Sequence, residues 1–323
     1  MEKKDLKIVF LGTPDFAVYS LDRIVSGGYN VAAVVTMPDK PAGRGKKIMQ
    51  SPVKQYAVEH GLPVLQPEKL KDKEFVEQLR AINADLFIVI AFRMLPEIVW
   101  QMPRLGTFNL HASLLPRYRG AAPINWAVIN GDTETGVTTF FLKHEIDTGD
   151  IIAREKIEIG PDDNVGDVHD RLMVLGADLT VATIDSILDG SLKTIPQEQM
   201  AAMENTEPTP APKIFHETCR IDWARPARDV HNLVRGMSPY PGAWSIVADG
   251  DNEPFSMKVY QTRPTGEPSA GIPGSIVIDG RRLLVNTADT KIEILTLQAP
   301  GKRRMTADEY LRGWRYESPR FTI

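Results

Sequence analysis

The first half of the chain alternates short, continuously apolar runs with stretches of helical spacing, and this alternation narrows the fold more than any other feature. Lys7 to Leu11 is apolar after its first residue and is closed by Gly12; Ala17, Leu21, Ile24 and Val25 then recur at helical spacing until Gly27 and Gly28 stop them. Val31 to Val35, Pro63 to Leu65, Asp85 to Ala91 and Thr107 to Leu110 repeat the strand signal, with Pro52 to Glu59 and Glu74 to Leu79 helical between them. A strand with one wet face alternates apolar and polar residues, whereas a continuous apolar run needs cover on both faces. The expectation is therefore an α/β fold built on a mostly parallel sheet with helices on both faces. Val137 to Leu142 and Ile151 to Ile157 add two strands, and Asn164 to Leu188 a long helix.

The pattern fails from Pro196 to Pro212, where four prolines and polar residues replace periodicity. That break, in 323 residues, fits a chain of about two domains: 1–189, a linker at 190–212, and 213–323. Beyond the break come a short helix, Ala227 to Arg235, and strands at Gly242 to Val247, Phe255 to Thr262, Gly274 to Asp279, Arg282 to Asn286 and Lys291 to Gln298. Short strands with turn punctuation suggest a small, OB-like β-barrel. The two halves differ in sign. Residues 1–207 carry 22 Lys+Arg against 29 Asp+Glu, net −7, and residues 208–323 carry 16 against 13, net +3. Such asymmetry permits a basic nucleic-acid surface on an acidic protein. The single cysteine, Cys219, can form neither an intrachain disulfide nor a thiolate metal site, which fits a reducing cytoplasm and no metal. The N-terminus carries no apolar signal core, and no apolar stretch approaches the ~20 residues of a membrane span; the expectation is a cytoplasmic chain without a leader.

Gly12-Thr13-Pro14-Asp15-Phe16 joins the first strand to a helix but is not a G-x-G-x-x-G element, and it reads as an ordinary turn. Asn109 and His111 are more specific. Alternation places them on one face at the carboxyl end of a strand, where open α/β sheets bind ligands. Asn supplies fixed donors and His a proton acceptor or donor near neutral pH, the combination acyl transfer requires. Ser113 to Gly120 follows as a restricted polar loop, and Glu145 to Asp150 presents carboxylates between two strands. An Asp accepting a hydrogen bond from His111 would orient its ring, and spacing alone leaves Asp147 and Asp150 both open.

Asn109-x-His111-x-Ser113-Leu114-Leu115-Pro116 followed by Asp147-x-Gly149 resembles the formyltransferase family that uses 10-formyltetrahydrofolate. The resemblance continues through Phe10 to Ala17, Pro38 to Lys47, Arg117 to Ile124, Ile221-Asp222-Trp223 and Leu297-x-x-Pro300-Gly301-Lys302, and within the family it is to the branch acting on methionyl initiator tRNA. It implies a Rossmann-like N-terminal domain with an OB-like C-terminal domain, 10-formyltetrahydrofolate as formyl donor, initiator methionyl-tRNA as partner and no metal. Formyl transfer to a nucleotide sugar or small amine is the alternative. It further implies that Asn109, His111 and Asp147 are catalytic, that Ser113, Leu114, Leu115 and Pro116 lie along the folate, and that Phe92, Arg93, Met94 and Leu95 grip its pterin. Arg93-Met94 depart from the Tyr-Gly type sequence common in that branch. Lys40, Arg44, Lys46 and Lys47, in a 15-residue loop from Met37 to Ser51, and Lys302, Arg303 and Arg304 with the Arg225 to Arg235 helix, are the expected tRNA contacts. A monomer with no obligate protein partner completes the expectation.

Overall fold

The computed structural model describes residues 2–42, 47–250, 252–316 and 319–322. In chain order the first part runs β1 (Lys7–Gly12), α1 (Asp15–Ser26), β2 (Asn30–Val35), β3 (Lys40–Ala42), β4 (Lys47–Met49), α2 (Pro52–Glu59), β5 (Val64–Leu65), α3 (Lys73–Ile82), β6 (Leu86–Ile90), α4 (Glu97–Trp100) and β7 (Thr107–His111). It continues with β8 (Arg119–Gly120), α5 (Pro123–Ile129), β9 (Glu134–Phe141), β10 (Ile151–Glu158), α6 (Val165–Asp189) and α7 (Gln197–Glu204). The main sheet has the order β10-β9-β7-β6-β1-β2-β5, parallel across its five strands from β7 to β5, with β9 antiparallel to β7. Chain order reverses between β1 and β6, so the crevice at the carboxyl ends of these strands is the place such a sheet offers a ligand. The apolar runs behave as their composition requires: Ile8 to Leu11 and Leu86 to Ile90 are all buried. Gly12 is fixed by packing, because a Cβ there would lie 2.7 Å from the Cβ of Ala17 on α1. The turn after β1 thus owes its glycine to helix–strand packing.

The second part holds β11 (Pro210–Ala211), α8 (Ala227–Gly236), β12 (Ala243–Asp249), β13 (Phe255–Pro268), β14 (Ile276–Asp279), β15 (Arg282–Asn286), β16 (Thr290–Gln298), β17 (Met305–Thr306), α9 (Ala307–Leu311) and β18 (Pro319–Phe321). Its sheet, β14-β15-β16-β13-β12-β18, is antiparallel, and a bridge from Ser275 to Arg320 nearly closes it into a barrel. The core is built on Trp223, which is fully buried, stacks on Phe321 at 4.8 Å and donates its indole N–H to Ser245 at 3.0 Å. Two strands run past their expected ends, β12 to Asp249 and β13 to Pro268; β13 carries Pro264 and Pro268 because register shifts let it absorb residues without ladder donors.

Two compact units emerge, and their bounds differ from those expected. The first comprises 1–120, 136–157 and 169–210; the second comprises 121–135, 158–168 and 211–323. Residues 190–212 are no free linker, since α7 buries Gln197 and Met200 and Ile195 pairs with Ile151. Proline content misled because Pro196 sits at the start of that helix, where a missing N–H costs nothing.

Candidate active site

β7 ends the site's scaffold. Its register pairs Asn109 with Val89 of β6 and Phe140 of β9, and His111 with Thr138. The amide of Asn109 has no hydrogen-bond partner among the described residues. His111 is 7% exposed, with its Nε2 2.8 Å from the carbonyl oxygen of Tyr118 and the edge of Phe140 against its ring. A carbonyl can only accept, so Nε2 carries a proton and Nδ1 is the ring nitrogen outside that bond. Asp147 Oδ2 lies 3.8 Å from Nδ1 and accepts instead from the Gly120 N–H at 2.9 Å. The hydrogen bond that orients the ring is therefore the one His111 donates to the Tyr118 carbonyl, with the Asp147 carboxylate beside it. This differs from the expected donation by His111 to an Asp carboxylate. Asp150, the other carboxylate that spacing allowed, is paired with Lys143 at 2.7 Å.

Backbone packing explains the D-x-G element. A Cβ on Gly149 would fall 1.5 Å from the Phe141 carbonyl oxygen, so only glycine lets the loop lie this close to β9. Asp147 itself has φ of 53° and Tyr118 of 61°, conformations that need support from their surroundings. That support converges on Gln197, which is fully buried. Its amide N–H groups go to the carbonyls of Asp147 and Gly149 at 2.8 and 2.9 Å, and its oxygen accepts from Arg119 Nε and a terminal guanidinium nitrogen at 2.9 and 2.7 Å.

The residues expected along the folate divide. Ser113 is buried and donates to the Arg117 carbonyl, while Leu115 sits in a cluster with Phe140, Ile151 and Met200. Leu114 packs beside Gly136, and Pro116 is buried after a cis bond. Thr138 holds this loop by donating to Ser113 O at 2.6 Å and accepting from Leu115 N–H. Thus Ser113 and Leu115 turn inward and shape the loop. After β6, Phe92 packs on the core and Leu95 is buried, whereas Met94 is 71% exposed. Arg93 donates to the carbonyls of Pro67 and Glu68, lies against the Phe92 ring, and has its basicity lowered by burial.

The expected cations also divide. The loop from Met37 to Ser51 contains the β3–β4 hairpin, anchored by Asp39, which accepts from Lys54 at 2.6 Å and Gln66 at 2.8 Å and is held below the usual carboxylate range by them. Lys40 is exposed on it; Arg44 and Lys46 lie outside the described residues, and Lys47 is described by its backbone alone. On the barrel unit Lys302 is exposed, Arg303 pairs with Glu309 at 2.8 Å, and Arg304 stacks on Tyr260 at 3.5 Å. The basic helix is a correction: Arg225 pairs with Asp229, and Arg235 is 6% exposed, holding the carbonyls of Gly160 and Asp163. Helical periodicity turns Arg235 inward, so of the arginines on α8 it is Arg228 that is exposed. Among the described residues no group of His, Cys, Asp and Glu could hold a metal ion, and no helix is long and apolar enough to cross a membrane.

Sequence reasoning missed Gln197, Thr138 and the Tyr118 carbonyl. None of the three left a distinct signal, since Thr138 is one of three threonines in β9.

A sheet whose carboxyl edge carries an unpaired amide, an immobilised imidazole and a neighbouring carboxylate fits acyl-group transfer. Residues 6–184 match the formyl transferase family and residues 213–315 its C-terminal domain. The chain belongs to the formyltransferase family. It is 60% identical over 315 residues to the methionyl-tRNA formyltransferase of Bacteroides fragilis, covering 97% of each chain. It is 58% identical to that of Bacteroides thetaiotaomicron, covering 98% of each. Among solved structures, a sugar 3N-formyl transferase determined with dTDP and 5-N-formyl-THF shares the fold, with a TM-score of 0.64 and 19% identity over 92% of this chain and 99% of that one.

Proposed function

We propose that this chain transfers a formyl group from 10-formyltetrahydrofolate to the amino group of methionine carried on initiator tRNA. The near-full-length match to methionyl-tRNA formyltransferases carries the reading. The amine bonds to the formyl carbon, charge develops on the formyl oxygen, and the bond to the folate nitrogen breaks as that nitrogen gains a proton and the amine loses one. Asn109, whose amide has no hydrogen-bond partner among the described residues, donates to the oxyanion. His111 passes a proton through Nδ1, the atom its Tyr118 hydrogen bond leaves free, with the Asp147 carboxylate 3.8 Å from that nitrogen. The loop Ser113 to Pro116 and the backbone from Phe92 to Leu95 border the folate. Lys40, Arg44, Lys46 and Lys47, within the sequence from Met37 to Ser51, meet the tRNA, and Lys302 and Arg304, with a smaller part for Arg303, meet it from the barrel unit, mainly through phosphates. The protein works in the cytoplasm without an obligate protein partner, in keeping with its one cysteine being free and buried.

The test supplies 10-formyltetrahydrofolate with either charged initiator tRNA or a dTDP-linked amino sugar. Formylmethionyl-tRNA should form at a kcat/KM far above that for the sugar. Preference for the sugar would overturn the choice of acceptor, and turnover of neither would overturn the activity.

A further inference from the structure

We propose, resting on the formyl-transfer reading above, that Gln197 is a positioning residue that sets the Asp147 carboxylate beside His111. The amide cannot be reversed: its nitrogen faces two carbonyls that only accept, and its oxygen faces the Arg119 guanidinium, which only donates. Every polar atom of a fully buried side chain is thereby used between two loops. One loop is 147–149, where Asp147 holds a left-handed backbone that a non-glycine residue keeps only under constraint. The other carries Arg119, between the Tyr118 carbonyl that receives His111 Nε2 and the Gly120 N–H that donates to Asp147 Oδ2. Gln197 thus holds the backbone carbonyls of the Asp147 loop and the guanidinium of Arg119 next to the His111–Asp147 pair, and its hydrogen bonds go to neither residue's side chain. Met200, one turn along α7, seats the helix against Leu115, Phe140 and Ile151 and separates helix docking from this polar clamp.

The experiment measures steady-state formyl transfer to charged initiator tRNA by the full chain carrying Gln197→Met, Gln197→Glu, Met200→Ala, Asp147→Asn, and Gln197→Met with Asp147→Asn. Both Gln197 variants should lose at least about tenfold in kcat, as misplacement of a catalytic group does, with KM for folate and tRNA little changed. Met200→Ala should lower Tm and leave kcat within about twofold, and the double variant should be no slower than Asp147→Asn alone, since coupled residues are not additive. Should Gln197→Met fail to fold, Gln197→Glu carries the test: it keeps its size and its pairing with Arg119 but cannot donate to the carbonyls. Normal kcat in the Gln197 variants, an equal loss in Met200→Ala, or losses that multiply in the double variant would overturn the role. An inactive parent protein would instead overturn the formyl-transfer reading and the role with it.

Discussion

The carboxyl end of β7 and the basic surface of the barrel unit use polar residues in opposite ways. At β7, His111, Asp147, Ser113 and Thr138 are tied to the backbone, and the Asn109 amide has no partner among the described residues. On the barrel, the net charge of residues 208–323 stays +3, but several of the cations behind it already have partners within the chain: Arg235 is buried, Arg225 and Arg303 are paired, and Arg304 lies on an aromatic ring. A charge count therefore overstates a binding surface, whereas a polar residue in an apolar strand marks a site. Fixed donors act on a transition state without reorganising; mobile cations act through counterion release and tolerate loss.

The sharpest way to break the comparison is Asn109→Ala. It should lower kcat by about 10²-fold or more, as loss of an oxyanion donor does, while KM for tRNA stays close to the parent value in steady-state assays. Replacing Lys302 and Arg304 together by Ala should do the reverse, raising KM for tRNA with kcat kept. The salt slope of binding should fall by about one for each phosphate no longer engaged. Arg303→Ala should matter less, because its partner Glu309 already claims it. The smallest effect concerns stability. Burial pushes the His231 imidazole below its ordinary value, against opposing contributions from the Pro161 carbonyl and Asp162. The unfolded chain then binds the proton better, so stability is intact above the ordinary histidine pKa of about 6.5 and declines as pH falls through it. Thermal melts at pH 7.5 and 5.5 should differ less in His231→Gln than in the parent.

Much of this was legible. Continuous apolar runs report double-sided burial directly, so β1, β6 and their helices follow from composition, and Asn109 and His111 stand out because they interrupt such a run. Hairpin β3–β4 and helix α7 were not legible, because prolines and polar residues mask short elements held by partners distant in sequence. Spacing could not choose between Asp147 and Asp150, because the choice depends on Lys143 taking one and Gly120 the other. Gln197 gave no signal, since its partners lie 48 to 78 residues away.

The central claim is that His111 handles the proton in formyl transfer. The direct measurement is a single turnover with enzyme in excess over charged initiator tRNA and saturating 10-formyltetrahydrofolate, comparing His111→Ala with the parent protein. The formyl-transfer rate should fall by about 10²-fold or more, as loss of a general acid–base group does, with tRNA still bound. A rate within about threefold of the parent, well below the 10²-fold typical of such a loss, would contradict the assignment.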